Sequence, residues 1–289
     1  MKGIFSALLM SFDENGNINE RGLREIVRHN IDEMKVDGLY VGGSTGENFM
    51  LSTQEKRKVF EIVKDEAKQK VKLIAQVGSI NLKEAVELSK YATDLGYDCL
   101  SAVTPFYYKF DFQEIKDYYY TIIEESKNNM IVYSIPMLTG VNMTLDNFSE
   151  LFQNEKIIGI KFTAPDFYLL ERLRSKFENK FIYSGFDEML LPALSLNVDG
   201  AIGSTFNVNG IRAREILNFV SQNNLEKARE VQKVTNDLIS EISSNGLYQT
   251  LKLILEEFGV NAGFCKKPFK KETNEMKLKA KEIFLKYFG

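Results

Sequence analysis

The chain has 289 residues, 44% apolar and 27% charged, with a formal net charge of -3 and a pI near 5.6. That length buries a large core and suits either one α/β barrel or two ordinary domains. The mild negative charge gives no basic field for nucleic acid or an anionic membrane, so small-molecule partners are expected.

Short apolar runs alternate with amphipathic segments, the pattern of βα units around a parallel sheet. Strands are expected at Gly3–Leu9, Gly38–Val41, Lys72–Val77, Cys99–Val103, Met130–Tyr133, Ile157–Phe162, Phe181–Tyr183 and Gly200–Ile202. Helices are expected between them at Asn19–Asp37, Thr53–Ala67, Leu82–Leu95, Phe112–Asn128, Leu145–Gln153, Tyr168–Lys176 and Glu188–Leu196. Ser52-Thr53-Gln54-Glu55 and Thr144-Leu145-Asp146 carry N-cap chemistry at two of the starts. Eight strands at this spacing fit a closed (β/α)8 TIM barrel better than an open doubly wound sheet. Further helices, at Arg212–Asn223, Leu225–Ser244, Leu247–Phe258 and Glu275–Tyr287, exceed what one barrel unit needs. The expected organisation is therefore a barrel over residues 1–210 with its last helix and a C-terminal helical extension over 211–289, in one structural unit. The extension reads as surface padding, an oligomer contact or a wall of the site, and the pattern alone does not choose.

Met1–Met10 is read as the first strand rather than a secretory leader, because it runs into Asp13-Glu14-Asn15-Gly16 without a small-residue cleavage site. Two cysteines, Cys99 and Cys265, are too few for a disulfide framework, and no apolar run reaches the length of a membrane span. A cytoplasmic location is expected. The single histidine, His29, falls in an expected surface helix among Arg24, Glu25 and Arg28. That removes His-dependent triads, and without a Cys/His cluster no zinc site is expected.

In a barrel, the site forms where strands end and βα loops begin. The second strand leads into Gly42-Gly43-Ser44-Thr45-Gly46-Glu47, whose backbone N–H groups and two hydroxyls suit a carboxylate, although a tight turn without a ligand would look the same. The fourth leads into the aromatic loop Thr104-Pro105-Phe106-Tyr107-Tyr108, which either packs under the rim or reaches a neighbouring subunit. The fifth ends at Tyr133, a phenol able to share protons with a substrate or simply an amphipathic core residue. The sixth delivers Lys161, with Thr163 two residues on and hence on the same strand face. A lysine closing an apolar strand either points its amine to solvent or is held neutral as a nucleophile. The seventh leads into Gly185-Phe186-Asp187-Glu188, whose acids serve a helix dipole or accept from sugar hydroxyls. The eighth ends in Gly203-Ser204-Thr205.

With these residues assembled, the chain resembles the dihydrodipicolinate synthase and N-acetylneuraminate lyase superfamily over almost its whole length, and most of all its bacterial lyase branch. The resemblance rests on Gly43-Ser44-Thr45-Gly46-Glu47, Tyr133-Ser134-Ile135-Pro136 with Leu138-Thr139-Gly140, Gly159-Ile160-Lys161-Phe162-Thr163 and Gly185-Phe186-Asp187-Glu188-Met189. It implies a homotetrameric barrel and a class I aldolase, with Lys161 forming a Schiff base with pyruvate and Tyr133 relaying protons. It also implies that Ser44 and Thr45 hold the pyruvate carboxylate, that Thr163, Gly185, Asp187, Glu188 and Ser204 bind the sugar chain, and that no cofactor or metal is needed. The expected reaction is reversible cleavage of N-acetylneuraminate to pyruvate and N-acetylmannosamine.

Synthases of the superfamily carry an arginine where Leu138 stands, and a leucine cannot donate to a substrate carboxylate. Ser134 departs from the asparagine common after the tyrosine, without touching a catalytic assignment. The alternatives are another pyruvate-dependent aldolase such as dihydrodipicolinate synthase, a phosphate-handling barrel isomerase using Gly203-Ser204-Thr205, and a non-catalytic sensor.

Overall fold

The computed structural model describes residues 1–289. Eight parallel strands close into a barrel in sequence order, β8 pairing with β1: β1 Gly3–Ala7, β2 Gly38–Val41, β3 Lys72–Gln76, β4 Cys99–Val103, β5 Met130–Ser134, β6 Ile157–Phe162, β7 Phe181–Ser184 and β8 Gly200–Gly203. All eight expected strands are present, with ends shifted by two residues at most. Around them lie α1 Glu20–Asp32, α2 Thr53–Ala67, α3 Leu82–Asp94, α4 Phe112–Ser126, α5 Pro136–Thr139, α6 Leu145–Leu151, α7 Phe167–Lys176 and α8 Leu190–Ser195. The chain ends with α9 Phe206–Ser221, α10 Leu225–Ser244, α11 Leu247–Glu257 and α12 Asn274–Tyr287. No helix is long and apolar enough to cross a membrane.

The N-cap chemistry operates as the sequence indicates. Ser52 Oγ accepts from Glu55 N–H at 3.3 Å while Glu55 Oε2 accepts from Ser52 N–H at 2.7 Å, a reciprocal capping box opening α2. Thr144 caps α6 in the same way through Asn147. The helix ends were less legible. α1 stops at Asp32 rather than Asp37, and Lys35, at a left-handed φ of 53°, turns the chain toward β2. α9 begins at Phe206, well before Arg212, and the short α5 was not expected at all.

His29 also departs from expectation: it is buried rather than on the surface, its ring centroid 5.1 Å from that of Phe258, and burial lowers its pKa. It sits three residues after Ile26 on the inward face of α1, so helical periodicity places it in the core despite the charged residues around it in sequence.

Two apolar layers hold the barrel. The larger lies between strands and helices, and the smaller fills the interior with Phe5, Tyr40, Ile74, Ile131, Tyr133, Tyr183 and Ile202. One irregularity sets the facing of Lys161. Ile157 and Ile160 both pack outward, three positions apart, which strict alternation forbids. A register shift between β5 and β6 absorbs the extra residue: Met130 pairs with Ile157, but Ile131 pairs with Gly159. Beyond that bulge Ile160 and Phe162 face the helices, so Lys161 faces the interior.

Candidate active site

Lys161 is 5% exposed, and its Nζ lies 4.3 Å from the Tyr40 ring centroid and 4.2 Å from that of Tyr133. Burial against two aromatic rings disfavours the ammonium and brings its pKa down to about 7, with the nearby Asp187 carboxylate opposing the shift. The solvent-pointing alternative is therefore excluded. Near neutral pH a large share of this amine is unprotonated, the form that attacks a ketone.

Tyr133 stands beside Lys161 in the β5–β6 register and packs edge-on to Tyr40 at 5.9 Å. Burial pushes its phenol up to about 12, while the Ser44 and Thr163 hydroxyls favour the ionised form. Neither hydroxyl meets hydrogen-bond geometry with the phenol, and Thr163 Oγ1 is buried with no protein partner. The three hydroxyls face a common space without bonding across it. That leaves donors and acceptors available to a ligand.

Ser44 and Thr45 lie in a 3-10 turn spanning Ser44–Gly46, directly after β2. Gly43, which precedes it, has to be glycine because a Cβ there would stand 2.8 Å from the Tyr40 ring. Thr45 Oγ1 and Ser204 Oγ share a 2.6 Å hydrogen bond, joining the loops after β2 and β8. Ser44 is half-buried and makes no side-chain bond of this kind.

The remaining expected site residues occupy the same rim but in unequal settings. At Gly185 a Cβ would stand 1.8 Å from Thr163 Oγ1, so the glycine lets the two loops close together. Asp187 is buried, and its Oδ2 accepts from Thr205 N–H at 2.8 Å and from Thr205 Oγ1 at 2.6 Å, bracing the start of α9. Burial outweighs those bonds and raises its pKa to about 6. Asp187 is thus already committed to protein donors through one oxygen, whereas Glu188 is exposed.

Beside these residues a cleft of about 240 Å³ opens, lined by Ser44, Val103, Phe106, Leu138, Thr139 and Tyr248 among others. Sequence reasoning missed two contributors. Tyr40 forms part of the aromatic box around Lys161; it stands in an apolar strand whose inward parity the sequence does not reveal. Tyr248, at the start of α11, comes from the C-terminal extension, and nothing local signals its approach. Tyr248 is close enough to disfavour ionisation of Tyr133. The extension is therefore a wall of the cleft.

Comparison with known proteins agrees with this architecture. The model of the dihydrodipicolinate synthetase family matches residues 1–286. The chain belongs to this family. Within the dihydrodipicolinate synthetase family it is 69% identical to N-acetylneuraminate lyase of Clostridium perfringens strain 13, over the full length of both chains. Among solved structures, CdNal from Clostridium difficile in complex with mannosamine superposes with a TM-score of 0.99 at 70% identity, covering 100% of this chain and 99% of that one. N-acetylneuraminate lyase from Fusobacterium nucleatum complexed with pyruvate gives 0.97 at 65%, covering 100% and 98%.

Leu138, the position on which the synthase and lyase readings of this family differ, lies in α5, 63% exposed, and lines the cleft. It presents an apolar side chain where a guanidinium would present five donors. No group of three or more His, Cys, Asp or Glu side chains is placed to hold a metal ion.

Proposed function

We propose that the protein is an N-acetylneuraminate lyase, a carbon–carbon lyase that reversibly cleaves N-acetylneuraminate to pyruvate and N-acetylmannosamine. The observation that carries the chemistry is the buried Lys161 amine, brought to a pKa of about 7 against Tyr133 and Tyr40. Full-length identity of 64% to 70% to lyases named for this reaction supports the substrate.

Neutral Lys161 attacks the C2 ketone of the open-chain sugar, and loss of water leaves an iminium that accepts the electron pair of the breaking bond. Ser44, Thr45 and their backbone N–H groups hold the carboxylate and so orient C3–C4. Tyr133, whose buried phenol stays protonated at neutral pH, accepts the C4 hydroxyl proton while passing its own to the substrate carboxylate, so no free phenolate is required. The C3–C4 bond breaks, N-acetylmannosamine leaves as the aldehyde, and an enamine of pyruvate remains on Lys161. Protonation at C3 and hydrolysis release pyruvate and the free amine. The iminium is the electron sink, so this mechanism calls for no separate cofactor.

Thr163, Gly185, Asp187, Glu188 and Ser204 serve the sugar in this reading, supported by their shared rim and by the unpartnered Thr163 hydroxyl. The barrel and its C-terminal helices act as one unit, since Tyr248 lines the cleft. A homotetramer is proposed from the family resemblance; the exposed Tyr107, Tyr108 and Met137 beside the cleft offer apolar surface for a neighbouring subunit. A cytoplasmic setting fits two free cysteines.

The test is borohydride reduction in the presence of pyruvate, followed by peptide mass mapping, beside two turnover assays. Lys161 should carry the reduced pyruvyl adduct, and N-acetylneuraminate should be cleaved. An unmodified Lys161 in a folded sample that binds pyruvate overturns the mechanism; activity only with pyruvate and aspartate semialdehyde overturns the lyase assignment.

A further inference from the structure

Glu47 closes the turn that carries Ser44 and Thr45, and it does so in a left-handed conformation, φ 55° and ψ 28°, that a non-glycine residue rarely adopts. Its side chain leaves the rim and enters the protein. There Oε1 accepts from Lys252 Nζ at 2.6 Å and Oε2 accepts from the backbone N–H of Lys266 at 2.6 Å. Lys252 Nζ also donates to the Phe264 carbonyl at 2.6 Å and lies 5.0 Å from the Phe12 ring centroid. The two charged side chains are 0% and 1% exposed, so both are fully inside the protein.

A buried ion pair holds geometry strictly, because neither charge tolerates losing its partner. This one spans 205 residues of sequence and joins the β2 loop to α11 and to the segment after it. Lys252 follows Tyr248 by four positions, so both project from the same face of α11. The pair thereby fixes the register of that helix against the rim, and with it the Tyr248 wall of the cleft.

We infer that Lys252 and Glu47 are positioning residues for substrate carboxylate binding, clamping the Ser44-Thr45 turn and Tyr248 to the C-terminal extension in one geometry. This rests on the reading of Ser44 and Thr45 as the carboxylate-holding pair. Neither side chain touches substrate; they act by keeping the turn's donors converged. The extension is then a working part of the pyruvate end of the site.

The experiment measures the pyruvate concentration giving half-maximal borohydride-trapped adduct, read by intact-protein mass, together with thermal unfolding. Lys252→Met should raise that concentration about tenfold to a hundredfold, as expected when a binding turn is misplaced by a fraction of an ångström to an ångström. Adduct formation at saturating pyruvate should remain complete, because Lys161 is untouched. The control is Arg174→Met, which breaks another inward-lying ion pair, Arg174 with Asp199 at 2.7 Å, between the end of α7 and the start of β8 at the end of the barrel opposite the rim. It should lower thermal stability without moving the pyruvate midpoint.

If Lys252→Met does not fold, the neutral double variant Glu47→Gln with Lys252→Met replaces the pair by uncharged groups of similar size, and its midpoint should still rise. An unchanged midpoint in a folded variant, or an equal shift in the Arg174→Met control, overturns the positioning role while leaving the lyase reading intact. Absence of any adduct in the wild type overturns both.

Discussion

Lys161 and Tyr133 are register partners on adjacent strands, with the Lys161 Nζ 4.2 Å from the centre of the Tyr133 ring and 4.3 Å from that of Tyr40. The geometry acts in two directions. Aromatic faces attract a cation, whereas the burial that they impose strips it of water. The balance lies near a pKa of 7, where the amine exists in both forms. A Schiff-base lysine needs both, one to attack and one to leave as the product is released.

The same balance makes the nucleophile a cost to the fold. The pKa of Lys161 falls from 10.5 to about 7 on folding, so between those values the unfolded chain binds more protons than the native one. Stability from this group therefore rises with pH across that window, and the full penalty is present below pH 7. Lys161→Met should be inactive yet more stable than the wild type at pH 6, by on the order of a few kcal/mol. The gap should close toward pH 10. Thermal unfolding of both proteins over this range checks it; a less stable variant at pH 6 would show that the ammonium is well solvated after all.

Asp187 acts with the opposite sign at lower pH. Its pKa rises from 3.8 to about 6, so between those values the native state holds the proton more firmly and stability falls as pH rises through the window. Asp187→Asn should remove that dependence below pH 6. Its amide oxygen, with two lone pairs, takes the place of Oδ2 and still accepts from the Thr205 N–H and hydroxyl, while the amide nitrogen stands where Oδ1 was. A pH series of unfolding midpoints for wild type and variant checks this, since any cost of the amide itself is independent of pH whereas the carboxyl titration is not.

Tyr133→Phe should keep the fold, because the ring packs against Tyr40 and the hydroxyl makes no hydrogen bond to protein. Turnover should drop about 10²- to 10⁴-fold, the usual contribution of a positioned proton-transfer group. Pyruvate trapping on Lys161 should persist. Steady-state kinetics beside borohydride trapping checks this, and near wild-type turnover removes the phenol from the relay.

How far the site was legible follows from which contacts are local. The strands announce themselves as apolar runs, and Tyr133 and Lys161 near the ends of β5 and β6, with Ser44 and Ser204 just after β2 and β8, are legible because a barrel puts strand ends on one rim. The inward facing of Lys161 was not legible, since it depends on a bulge against β5. The pairings of Asp187 with Thr205 and of Glu47 with Lys252 join distant segments, and no local pattern encodes them. His29 escapes a local reading because charged neighbours in sequence mask the helical period that buries it.

Leu138→Arg examines the position that separates the two branches. Leu138 is 63% exposed, so the longer side chain fits without loss of stability beyond about 0.5 kcal/mol. A guanidinium there adds donors for a carboxylate at the aldehyde end of the cleft. Condensation of pyruvate with aldehydes bearing a carboxylate should rise relative to N-acetylmannosamine. The ratio of kcat/KM for the two aldehydes is the measurement, and an unchanged ratio means that Leu138 does not set acceptor choice.

Gly185→Ala probes the packing between the loops after β6 and β7. A Cβ at this position would stand 1.8 Å from Thr163 Oγ1 and 2.8 Å from Thr163 Cβ, so the threonine side chain or the loop has to move. Overpacking of this kind typically costs about 1–3 kcal/mol. Thr163 lies two residues beyond Lys161 on the same face, with its Oγ1 buried and unpartnered, and in the proposed reading it serves the sugar. The variant should therefore lose affinity for N-acetylneuraminate while its midpoint for pyruvate trapping stays near the wild-type value. Thr163→Val, which removes the hydroxyl but keeps the shape, should reproduce the loss of affinity without the loss of stability. Equal effects on pyruvate and sugar in both variants would instead make this contact a general support of the rim, with no bearing on which half of the substrate it serves.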